Sequence, residues 1–234
     1  MTTTKSTKTF YLSPSLDVVD LDAVDRIVRA TCSHKIVSSY KVGFSLGLSF
    51  GLPAVVACIR KHTDKPIIYD HQKAGTDIPD TGKLFAKTLK GAGIDQAILF
   101  PQAGPMTLRA WVSALQDEGI RPMVGALMTH EGFLLREGGY LDDALPHRAY
   151  VESARLGVRH FVVPLTKPEA IAALHDVFPS DAEFYSPGYG AQGGNPHAFP
   201  TLSVHHLFVG RALLGAPDPA AYVEEATRFL ASDP

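Results

Sequence analysis

The chain has 234 residues, 45% hydrophobic and 20% charged, with a formal net charge of −2. This composition supplies a sizeable core but no basic excess with which to grip nucleic acid or an anionic membrane, so any anion site must be local. No stretch approaches the roughly 20 apolar residues of a membrane span, and MTTTKSTK at the start lacks the apolar run of a signal peptide.

Apolar runs alternate with helical patterns throughout. Phe10 to Val18 predicts a strand and Leu21 to Cys32 a helix, with Leu21, Val24, Ile27 and Val28 on one face. Val37 to Ser45 predicts the second strand, followed by a helix from Pro53 to His62. Ile67 to Asp70 is the third strand, followed by a helix through Lys90. Gln96 to Phe100 is the fourth, and Pro105, well suited to a first helical position, opens the helix to Asp117. Pro122 to Met128 is the fifth, with its helix around Asp142 to Leu156. His160 to Leu165 is the sixth, with Glu169 to Val177 behind it. Glu183 to Ser186 and His206 to Val209 complete the strands, and Pro219 to Ala231 predicts the closing helix.

Eight strand–helix units in this length predict one α/β domain, a single (β/α)8 TIM barrel over residues 10–234, preceded by a flexible tail over 1–9. A doubly wound open sheet gives the same alternation and is the competing architecture. Cys32 and Cys58 have no metal-ligand spacing and read as reduced core residues, which predicts a cytoplasmic protein.

In a barrel, chemistry sits at the C-terminal ends of the strands. Those positions hold Asp17, Lys41, Asp70 with Lys73, Gln102, Thr129 with His130, Thr166, Ser186-Pro187-Gly188 and Gly210-Arg211. The stretch PIIYDHQKAGTDIPDT, residues 66–81, is the most informative, because a buried strand gives way abruptly to Asp70, Lys73 and Asp77. Together with Asp17 and Lys41 these charges can form an alternating network that keeps each ammonium protonated and aimed. A lysine held so is a proton donor rather than a Schiff-base nucleophile. The plain alternative is five unconnected surface charges.

Loops seven and eight read as a phosphate grip. Ser186-Pro187-Gly188-Tyr189-Gly190-Ala191-Gln192-Gly193-Gly194 can bring backbone N–H groups close to an anion, and Gly210-Arg211 places a guanidinium at the next strand end. No histidine pair has ligand spacing, and His205 and His206 point to opposite faces of a strand, so no metal site is expected.

With these elements in order, the chain resembles the orotidine 5′-monophosphate decarboxylase family from Leu12 to about Tyr222. The resemblance rests on Leu16-Asp17, Tyr40-Lys41-Val42-Gly43, the 70–81 stretch, Met128-Thr129-His130, the glycine-rich loop and Val209-Gly210-Arg211. It implies a cofactor-free homodimer that makes uridine monophosphate in pyrimidine biosynthesis. Asp17 and Lys41 would contact the ribose, and Lys41 would also buttress Asp70. Asp70 would lie against the substrate carboxylate, and Lys73 would protonate C6. Asp77, Ile78 and Thr81 would come from the second subunit. Thr129, where the family usually has Ser, would read the pyrimidine edge. Pro187 and Gly210 would line the substrate site, and Gln192 and Arg211 would hold the phosphate.

The family motif Asp-x-Lys-x-x-Asp stands here as Asp70-x-x-Lys73-x-x-x-Asp77, and Glu131 replaces the Pro common after the Ser-His pair. In an unbroken strand the extra residue would turn Lys73 away from Asp70, so a bulge or an early strand end is required. Two rival readings follow. One is an Mg²⁺-dependent sugar-phosphate aldolase or decarboxylase of the same barrel family. The other is a non-catalytic barrel that binds a phosphate ligand.

Overall fold

The computed structural model describes residues 8–71, 75–190, 192–199 and 203–232. Strands form where short apolar runs are flanked by turn residues: β1 (Thr9–Pro14), β2 (Tyr40–Gly43), β3 (Ile67–Asp70), β4 (Gln96–Leu99), β5 (Arg121–Gly125), β6 (His160–Val162), β7 (Glu183–Ser186) and β8 (Val204–Val209). Between and after them run α1 (Leu21–Thr31), α2 (Phe44–Phe50), α3 (Leu52–Arg60), α4 (Thr81–Ala92), α5 (Pro105–Asp117), α6 (Leu145–Arg155), α7 (Pro168–Ala172), α8 (Arg211–Leu214) and α9 (Pro219–Ala231). Local chemistry sets several boundaries. The Asp20 carboxylate accepts from Ala23 N–H to start α1, Asp218 caps α9 ahead of Pro219, and Gly93 ends α4 in the left-handed region.

All strand pairs are parallel, in the order β1-β8-β7-β6-β5-β4-β3-β2. Parallel bridges Leu12–Val37 and Ser15–Lys41 join the two ends, so the sheet is a (β/α)8 barrel rather than an open one. At its C-terminal end β1 is bonded to both neighbours. Ser15 N–H donates to Val209 O, and the next residue, Leu16, donates to Lys41 O, each at 2.8 Å. Successive N–H groups thus point to opposite neighbours, as in any strand paired on both edges, and Leu12 N–H already donates to Ile36 O on the β2 side at 2.8 Å.

Two apolar clusters result. The larger lies between sheet and helices, whereas Ile68, Ile98, Phe100, Met123, Val162, Tyr185 and Phe208 fill the barrel interior. Gly125 belongs to this packing, because a Cβ there would lie 2.4 Å from the Phe100 ring. The barrel floor is polar. His206 stacks on Tyr185 with centroids 4.2 Å apart, Glu183 accepts from its Nε2 at 3.1 Å, and its Nδ1 meets Ser38 Oγ at 2.8 Å. His205 faces the other way and meets Ser186 Oγ, as strand alternation requires.

Several elements depart from expectation: β1 ends at Pro14 rather than Val18, and β5 ends at Gly125 rather than Met128. β1 begins at Thr9, within the segment read as tail, and residues 1–7 lie outside those described. β2 stops at Gly43, and α2 starts at once where strand was expected through Ser45. Phe44, Leu46, Leu48 and Phe50 alternate like a strand, yet they form a helix that buries only Leu46. The expected sixth strand ends at Val162 and not Leu165; residues 163–167 form a strap beside the β7 chain, with Val163 and Leu165 N–H donating to Tyr185 O and Pro187 O, each at 3.0 Å. Among the described residues, no helix is long and apolar enough to cross a membrane.

Burial keeps two imidazoles neutral, lowering the His205 pKa to about 3 and, with help from the Arg121 charge, that of His160 to about 4. Both lie below the ordinary value near 6.5, so below that pH the unfolded chain binds protons that the folded chain refuses. Stability should fall as pH drops below about 6.5, by up to about 1.4 kcal/mol per pH unit for each histidine. The urea midpoint should accordingly be lower at pH 5 than at pH 7, with a shallower decline in His205→Gln; equal declines would remove His205 from the acid response.

Candidate active site

The pairing of β1 between β8 and β2 has a chemical consequence. It sets Asp17 between the ends of β2 and β8, beside Lys41 on one side and Gly210 on the other. A Cβ at Gly210 would lie 3.9 Å from Asp17 Oδ2. Lys41, inward on β2, places Nζ 3.0 Å from Asp70 Oδ2 at the end of β3 and 3.9 Å from Asp17 Oδ2. The side chains of Lys41, Asp70 and Asp17 are 8%, 15% and 43% exposed, so the cation is nearly dry while one of its anions faces the opening. Nζ also lies 5.7 Å from the centroid of the Phe208 ring, a favourable site for a cation. Tyr69, on the outer face beside Asp70, has its phenol pKa raised by burial and then by the Asp70 charge.

These groups open on a cavity of about 240 Å³ at the C-terminal mouth of the barrel. Its floor is apolar, built from Ile98, Phe100, Val162 and Phe208. Its rim carries Asp17, Lys41 and Asp70, together with Thr129, Pro187, Gln192, Gly210 and Arg211. The glycine loop reaches the rim through positive φ at Gly188, Gly190 and Gly193. Gly194 N–H bonds back to Gly188 O at 2.9 Å, and Gly194 packs so close to Leu165 that a Cβ would lie 2.5 Å from it. An apolar floor, a paired lysine and a glycine loop with an arginine suit a flat ring carrying a phosphate arm.

A model of the Orotidine 5′-phosphate decarboxylase / HUMPS family matches residues 11–226. The chain belongs to this family. It is 30% identical over 223 residues to the orotidine 5′-phosphate decarboxylase of Methanosarcina barkeri, covering 94% of this chain and 92% of that one. To the Pyrococcus furiosus enzyme it is 30% identical over 205 residues, covering 86% and 91%. Among solved structures, it resembles orotidine 5′-monophosphate decarboxylase from Methanocaldococcus jannaschii in complex with the inhibitor BMP. The TM-score is 0.82 at 26% identity, covering 96% of this chain and 100% of that one.

Of the residues anticipated from sequence, Asp17, Lys41, Asp70, Thr129, Pro187, Gln192, Gly210 and Arg211 meet around one cavity. Asp77, Ile78 and Thr81 do not line it. They lie on the flank, where α5 fastens their backbone: Thr107 Oγ1 donates to Asp77 O at 2.8 Å and Trp111 Nε1 to Ile78 O at 3.1 Å. Lys73 lies outside the described residues. β3 does end at Asp70, and Gly75, at φ +90, lies against the Phe100 carbonyl. Ser15, Leu127 and the apolar floor residues were not anticipated. Ser15 was within reach of the sequence, since it shares a strand face with Asp17 two residues on.

Lys41 is the group whose removal leaves the largest imbalance. Lys41→Met should cost about 2–3 kcal/mol in urea unfolding, because the largely buried Asp70 loses the ammonium 3.0 Å from its carboxylate. Lys41→Met/Asp70→Leu should recover most of that stability while remaining inactive, and a double variant no more stable than the single would mean that the pair is not the cause.

Proposed function

We propose that this chain, a decarboxylase by family, converts orotidine 5′-monophosphate to uridine 5′-monophosphate in pyrimidine biosynthesis, as a cofactor-free cytoplasmic homodimer. The observation that carries the reading is the dry Lys41–Asp70 pair at 3.0 Å, in one cavity with an apolar floor, Arg211 and the glycine loop.

The binding roles follow from the chemistry of the rim. Arg211 and Gln192, with the loop backbone, take the phosphate dianion; Pro187 and Gly210 shape that end of the cavity. Asp17 accepts from ribose hydroxyls and Lys41 donates to the sugar while holding Asp70 ionised and in place. The Thr129 hydroxyl, able to donate and accept, reads the pyrimidine edge.

The reaction needs no redox partner. The bond from C6 to the carboxylate carbon breaks, carbon dioxide leaves, and the bonding pair remains on C6. Lys73 delivers its ammonium proton to that pair and regains one from water. Asp70, held against the substrate carboxylate, disfavours the ground state and not the transition state, from which that charge is departing. Phosphate binding far from C6 offsets the cost of bringing the two carboxylates together.

Support for the dimer comes from exposed apolar side chains. Val19, Phe44, Leu48, Phe50, Ile78, Leu84 and Met106 all come from the first four strand–helix units, the half of the barrel that also holds Asp77. In this reading the face is covered by a second copy, which carries Asp77, Ile78 and Thr81 to the other chain's site.

The direct test is release of carbon dioxide from orotidine 5′-monophosphate by the purified protein in excess chelator. Turnover should persist, and Lys73→Ala should abolish it while uridine monophosphate still binds. Loss of wild-type turnover on chelation would favour the metal-dependent sugar-phosphate chemistry of the same family. Lys73→Ala activity within about tenfold of wild type would remove Lys73 as the proton donor.

The shared site has its own test. Lys73→Ala and Asp77→Ala dimers should each be inactive. When mixed, dissociated and re-paired at random, about half become hybrids, each with one doubly damaged and one intact site. About a quarter of all sites should regain activity. No recovery, with hybrids confirmed, would place Asp77 in its own chain's site or in none.

A further inference from the structure

The strap over residues 163–167 is fastened on both sides of the cavity, and neither fastening is used by the chemistry above. Toward the glycine loop, Leu165 N–H donates to Pro187 O at 3.0 Å, and the Leu165 side chain underlies Gly188 and Gly194. Toward the loop after β5, Thr166 Oγ1 donates to the Thr129 carbonyl at 3.1 Å. The next residue, Lys167, places Nζ 2.6 Å from Glu137 Oε1, with both side chains largely buried at 15% and 20% exposure.

Glu137 is itself held in place. Its second carboxylate oxygen accepts from Phe133 N–H at 3.2 Å. The loop around it folds back on itself through the Leu134–Leu141 bridge and Leu135 N–H to Leu141 O at 2.8 Å. Phe133 and Leu134 are buried beneath it, and Gly139 has no room for a side chain against Gly132 and Phe133. The Lys167 hydrogen bond is the main reason the Glu137 carboxyl titrates below its ordinary range. A rigid loop thus offers a fixed carboxylate, and the strap docks on it.

We propose that Glu137 and Lys167 are positioning residues for base recognition. Their ion pair locks the strap against the loop after β5, and the Thr166 bond then holds Thr129 at a set distance from the phosphate loop. The inference rests on the assignment of Thr129 to the pyrimidine edge. A nucleotide is gripped at both ends, so the spacing between its base reader and its phosphate loop governs whether both grips engage together. An ion pair that merely tied down a surface loop would contribute little and would not distinguish ligands.

The test compares two ligands in calorimetry: uridine monophosphate, which needs both grips, and ribose 5-phosphate, which lacks the base. Glu137→Gln and Lys167→Met should each weaken uridine monophosphate binding about fivefold, the ordinary worth of one hydrogen bond, and change ribose 5-phosphate binding by less than about twofold. Thr129→Val should give the same split, and Glu137→Gln should add nothing in the Thr129→Val background. The reversed pair Glu137→Lys/Lys167→Glu should recover part of the lost affinity, which a loop that had simply lost its fold would not do. Equal weakening of both ligands, full additivity with Thr129→Val, or an unaltered uridine monophosphate affinity in both single variants would overturn the positioning role. Thr129→Val binding uridine monophosphate as tightly as wild type would instead remove Thr129 as the base reader, and the proposal with it.

Discussion

A lysine ammonium in a barrel mouth is expensive to desolvate, and the structure meets that cost with carboxylates from two other strands. Lys41 is nearly buried, Asp70 neutralises it at 3.0 Å, and Asp17 approaches from a third strand end. An isolated charge at that depth would destabilise the fold or lose its proton. The pairing therefore constrains the ends of β1, β2 and β3 at once. It also leaves Asp70 fixed in direction, which a carboxylate on a mobile loop would not be.

The two ends of the barrel divide the work. At the C-terminal mouth, short strands give out into glycine-rich or charged loops whose polar groups face a cavity. At the floor, Glu183, His206, Ser38 and Tyr185 satisfy one another in a closed network, and His205 is kept neutral by burial on the helix side. Between them, the apolar stack of Ile68, Ile98, Phe100, Met123, Val162 and Phe208 separates the polar layers. Gly125 shows how tightly that stack is filled, since even a methyl group there would collide with Phe100.

Recognition is spread over loops that the barrel sets side by side. The loops after β5, β6 and β7 form a series in which the middle one is hydrogen-bonded to both neighbours. Such an arrangement couples groups far apart in sequence without any of them touching directly. The chain after β6 supplies both links, with Leu165 bonded to Pro187 and Thr166 to Thr129.

The sequence by itself determined the repeating unit. Strands β3 and β7 and helices α5 and α9 begin and end where apolar runs, Pro105, Pro219 and the caps place them, because these signals act within a few residues. It also determined which strand ends carry charge, so eight of the cavity's residues were legible before any fold was known. Only the tertiary structure decided what those residues meet. Asp17 and Lys41 are 24 positions apart in numbering and come together because Ser15 and Leu16 bond to different strands. The apolar floor was invisible because an inward Ile98 or Phe208 has the same local pattern as any buried strand residue. α2 ran against its own alternation: it buries Leu46 and leaves Phe44, Leu48 and Phe50 exposed, so residue period did not predict its form. Ion pairs such as Glu137–Lys167 lie 30 residues apart; no spacing rule links them, and only the closed barrel brings their loops to one side of the mouth.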